Sequence, residues 1–83
     1  MQIDNDLKSK LQADPNATVS LIIRTKDNRD EDLEALRARG LKIRHTYSLI
    51  SAVAVEGPAS AALAVARESW IVSMEFDQEV HAL

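Results

Sequence analysis

Along this chain the spacing of apolar residues switches between a period of two and a helical period, and the order of those switches limits the fold more than any other feature. From Thr18 to Thr25, Val19, Leu21 and Ile23 alternate with Ser20, Ile22 and Arg24, the pattern of a strand with one apolar and one mixed face. Asn28 can cap a helix, with Glu31 completing a capping-box-like pair, and Leu33 and Leu36 give that helix an apolar stripe. Asp30, Glu31 and Asp32 crowd its first turn, Arg37 and Arg39 sit in its last, and Gly40 ends it, all as the helix dipole and C-terminal geometry favour. The period of two then returns, which puts Leu41, Ile43, His45 and Tyr47 on one strand face and Lys42, Arg44 and Thr46 on the other.

A short turn, Ser48-Leu49-Ile50-Ser51, leads into Ala52-Val53-Ala54-Val55, whose small or branched residues suit a central strand covered on at least one side. Gly57-Pro58 is expected to stop that strand and start a helix, with Pro58 in the first turn, where its missing N–H is harmless. The helix, Ala59 to Glu68, carries the stripe Ala59, Ala62, Leu63 and Ala66, and Trp70 to Asp77 forms a last strand. Upstream, residues 4–13 can make a short helix with Leu7 and Leu11 spaced i, i+4, broken at Asp14-Pro15. Strand, helix, strand, strand, helix, strand is the split βαβ order. The expected fold is therefore α+β: a ferredoxin-like βαββαβ sandwich, a four-stranded antiparallel sheet with two helices on one face.

The chain has 83 residues, enough for one small domain. Residues 1–16 are an N-terminal extension, 17–77 the core and 78–83 an extended tail. A domain of this size buries only about 60–65% of its unfolded surface, so its stability is modest and a partner binding the folded form adds to it. The core is aliphatic, with one Trp, one Tyr and one Phe, and no cysteine staples it. A formal charge of −3 and scattered aromatics argue against nucleic acid. The start, Met1-Gln2-Ile3-Asp4, lacks the basic and apolar run of a signal peptide, and no apolar stretch is long enough to span a bilayer.

The fold is shared by many functions, so function must come from a site. No Cys pair or His-acid run has metal-ligand spacing, no cofactor is indicated, and no glycine-rich loop is present. His45, mid-strand, reads as a strand residue with an ordinary partner, and no nucleophile sits in a recognisable turn, so no enzyme is expected. RNA-binding versions of the fold need aromatics on the two central strands, and Ser51-Ala52-Val53-Ala54-Val55 has none.

Residues 18–83 resemble the subtilisin propeptide family, which also contains free-standing protease inhibitors. The resemblance runs through Val19-Ser20-Leu21-Ile22-Ile23, the hairpin Gly40 to Tyr47, and Ser51 to Val55. It is sharpest in Met74-Glu75-Phe76-Asp77, similar to the family's Val-Glu-x-Asp, and in the ending Val80-His81-Ala82-Leu83. What the resemblance implies is a partner, a subtilisin-like serine protease, docked on the sheet face opposite the helices. Glu75 and Asp77 would cap the N-termini of two protease helices, which offer unpaired N–H groups and partial positive charge. The tail Val80, His81, Ala82 and Leu83 would lie in the protease cleft through main-chain pairing, with Leu83 in the primary specificity pocket and Val80 in an apolar pocket upstream. Two features depart from the pattern: Phe76 stands where familiar bacterial propeptides carry an acid, and Trp70 is either core or an extra contact to the partner.

Two roles fit this resemblance. One is a free-standing inhibitor, cytoplasmic and monomeric when free; the other is a propeptide that templates its own protease and is secreted with it. A reading of another class is a ferredoxin-like module that binds a small ligand or dimerises through its sheet.

Overall fold

The computed structural model describes residues 2–3, 5–27, 29–47 and 49–77. Their order is β1 (Gln2–Ile3), α1 (Asn5–Ala13), β2 (Thr18–Thr25), α2 (Asp30–Ala38), β3 (Lys42–Tyr47), β4 (Ala52–Pro58), α3 (Ala59–Val65) and β5 (Ile71–Phe76). The strands form one sheet in the order β1-β5-β2-β4-β3. Neighbouring strands among β2 to β5 pair antiparallel, which gives the expected ferredoxin-like α+β arrangement. β1 is an addition: it runs parallel to β5, with Gln2 opposite Ser73 and Ile3 opposite Met74.

Alternation along β2 decides which side of the sheet is covered. Leu21 and Ile23 are buried and lie opposite Val55 and Val53 of β4 and Phe76 and Met74 of β5. This is the helix side. There Leu36, Leu41, Ala59, Ala62 and Val65 complete an aliphatic core, with Trp70 half-buried against it. The α1 helix belongs to the same layer: it packs on α3, and Leu7 and Leu11 are core residues. The i, i+4 pair of leucines therefore marks the buried side of the expected helix.

Three local features depart from the sequence expectation. The helix after β2 begins at Asp30 with Arg29 as its N-cap residue, and buried Asp32 accepts the Arg29 N–H at 3.3 Å. Glu31 instead pairs with the Arg29 guanidinium at 3.0 Å, and Asn28 lies outside the described residues. The strand containing Gly57 runs on to Pro58, which takes an extended N-cap conformation instead of a first-turn position. A Cβ at Gly57 would stand 2.8 Å from the Gly40 carbonyl oxygen, so this glycine permits the α2–β3 connection to cross close by. Gly40 ends its helix as expected, at φ +96°.

The third departure concerns β3. Ile43 lies opposite Val55 and His45 opposite Ala54, so Arg44 is an extra residue on the β3 side. This bulge breaks the period of two. Ile43 packs on the core, whereas His45 and Tyr47 pair with Ala54 and Ala52 on the other face. The four side chains Leu41, Ile43, His45 and Tyr47 do not share a face, contrary to the uninterrupted alternation.

Candidate functional site

The face of the sheet away from the helices is a grid set by strand register. One row reads Asp77, Ser20, Glu56, Lys42; the next Glu75, Ile22, Ala54, His45; the third Ser73, Arg24, Ala52, Tyr47. Rows step along the strands by about 6–7 Å and columns are about 4.8 Å apart, so each row spans roughly 14 Å. That width matches the diameter of a helix with its side chains, about 10–12 Å.

Glu75 is exposed opposite Ile22 because its neighbours Met74 and Phe76 are committed to the core side. Asp77 lies one residue past β5, but its N–H still donates to the Ser20 carbonyl at 2.9 Å. The ladder thus extends to Asp77 and keeps its carboxylate on the same face as that of Glu75. Val80, His81, Ala82 and Leu83 lie outside the described residues.

The two acids also border an open cleft of about 610 Å³ between α1 and the end of β5, lined by Asp6, Leu7, Lys10, Ile22, Met74, Glu75, Phe76 and Asp77. Short β1 stops opposite Met74, leaving the last residues of β5 beside the first turns of α1. Lys10 Nζ stands 5.7 Å from the centre of the Phe76 ring, within cation–π range. Among the described residues, no group of three His, Cys, Asp or Glu side chains is placed to hold a metal. The contribution of α1 to this end of the molecule escaped the sequence, where Asp6 and Lys10 look like an ordinary solvated helix face.

At the far side of the grid the His45 and Tyr47 rings meet edge to face, with centroids 4.4 Å apart. Their cross-strand partners Ala54 and Ala52 are small and only 4% and 0% exposed, on a face that no described helix covers. Arg44 and Glu56 form an exposed pair at 3.0 Å. The central strands β2 and β4 carry no aromatic residue, so the stacking platform of RNA-binding relatives of the fold is missing there.

The open face can therefore offer a mixed surface in which Ser20, Ala52, Ala54 and Ser73 lie among longer charged and polar side chains, with Glu75 and Asp77 at one corner and two rings along the opposite edge. No protein-family model, curated protein or solved structure matches the chain.

Proposed function

We propose that this chain inhibits subtilisin-like serine proteases, docking by the open sheet face and laying its C-terminal tail in the active-site cleft as a product-like competitor. The observation that carries the reading is the placement of Glu75 and Asp77. Both lie at the end of β5, on the face that no described helix covers, immediately before the six residues Gln78 to Leu83. Carboxylates presented this way suit exposed helix N-termini, whose N–H groups and dipole favour an anion. In the protease cleft the tail would be held by main-chain pairing with a cleft edge, Leu83 and Val80 filling pockets and Ala82 and His81 between them.

The free-standing role is favoured over a propeptide by α1, whose Leu7 and Leu11 add a third helix to the core. The test is titration of the purified chain into several subtilisin-like enzymes turning over a peptide substrate. Competitive inhibition of these, with chymotrypsin-fold proteases unaffected, is expected. Equal inhibition of both groups removes the docking claim, and no inhibition at all favours the second reading. That reading, a module that dimerises through its sheet, draws on the exposed Tyr47 and Val72; sedimentation at rising concentration decides it.

A further inference from the structure

The acids occupy one end of the open face, and the other end carries the most exposed large apolar side chains of the described residues. Leu49 is 99% exposed and Ile50 51%, with Tyr47 and Val72 nearby at 38% and 43%. Thr25 N–H donates to the Ser51 carbonyl at 2.8 Å, and Thr25 lies opposite Ile71. The tip of the β3–β4 hairpin and the start of β5 therefore close the same end of the sheet.

Hairpin tips face water and are usually built from Gly, Asn, Asp or Ser. Here the tip is Leu49-Ile50, followed by Ser51 at φ +47°, a left-handed conformation uncommon outside glycine. Leu49 contributes nothing to the core, since virtually all of it meets solvent. Together with Ile50, Tyr47 and Val72 it makes an exposed apolar patch, the kind of surface that marks an interaction site.

We infer that Leu49 and Ile50 are a second, apolar anchor for the same protease, entering an apolar depression on its surface roughly 15–20 Å from the helix ends that hold Glu75 and Asp77. The span follows from register: four residues of β2 separate Ser20, beside Asp77, from Arg24, and the tip lies beyond, at about 3.3 Å per residue. This inference rests on the inhibitor reading. A second copy of the chain is the poorer occupant. Four side chains, three of them about half-exposed or less, fall well short of the ~800 Å² per partner that a stable interface buries. As one corner of a larger interface already anchored at the acidic end, the same patch is sufficient.

The test compares the unaltered chain with Leu49→Ser and with Leu49→Ser/Ile50→Ser. Thermal midpoints should be unchanged for the single variant, which keeps the test valid if the double variant folds less well. Inhibition of a subtilisin-like enzyme should weaken at least tenfold in the double variant and severalfold in the single, mainly through faster dissociation. Combination with Glu75→Ala should be additive, because the sites are far apart. Undiminished inhibition by both tip variants overturns the anchor and leaves the inhibitor reading standing. A dimer of the unaltered chain that the substitutions dissolve makes the patch a self-contact and overturns the anchor as well. Failure of the unaltered chain to inhibit any subtilisin-like enzyme removes the inhibitor reading and the anchor with it.

Discussion

Glu75 can be altered without disturbing the packing beneath it, because its side chain is exposed while Met74 and Phe76 hold the strand to the core. Glu75→Ala and Asp77→Ala are each expected to weaken protease inhibition roughly ten- to hundredfold, the equivalent of about 1.5–3 kcal/mol for a charge-assisted hydrogen bond. Inhibition constants and urea midpoints measured on the same samples check this; a lowered midpoint with unchanged inhibition would assign the acids to the domain itself. Gly57→Ala should behave in the opposite way. The new Cβ would meet the Gly40 oxygen at 2.8 Å and the Leu41 side chain at 2.9 Å, and backbone on one side has little room to move. A destabilisation of about 1–3 kcal/mol is expected, read as a lower urea midpoint. Gly40 was recognisable in the sequence as the end of a helix, whereas Gly57, expected to stop its strand, lies inside β4. The reason for Gly57 was not legible, since it depends on a segment seventeen residues away passing over it.

At the scale of elements, β2 and α2 were legible because each carries its own period, and β4 because its run of small and branched residues suits a covered strand. β1 was not: two residues hold no periodicity, and their strand character comes only from pairing with β5. The bulge at Arg44 was equally hidden, and it redirected His45 and Tyr47, so the β3 column of the open face could not be drawn from alternation. The acids were placed on one face correctly because no irregularity intervenes between residues 75 and 77. Two predictions belong here. Leu11→Ala, at a side chain with no exposed surface, should cost about 2–5 kcal/mol in chemical denaturation. Removing Val80 to Leu83 deletes no described element and should leave the melting curve in place. It should abolish most active-site blockade while some binding through the sheet face persists. Calorimetric binding and peptide hydrolysis on one truncated sample separate those effects, and undiminished inhibition would rule out the substrate-like tail.

For the molecule as a whole, a small aliphatic core without disulfides implies a modest stability on which a partner has large leverage. A catalytically dead subtilisin-like protease at a hundred times its dissociation constant should add about 2.7 kcal/mol, or roughly 10–20 °C in melting temperature for a domain this size. An absent shift with a protease that the chain inhibits would mean that binding does not select the folded domain. The parallel pairing of β1 with β5 has its own consequence, in the order in which the chain is made. Gln2 must wait for Ser73 and α1 for α3, so on a ribosome adding roughly 5–20 residues per second the first helix is out for several seconds before its neighbours exist. Leu7 and Leu11 spend that interval facing water or the ribosome surface. The domain therefore cannot settle from its beginning onward; its first and last segments lock together only as synthesis of the sheet finishes.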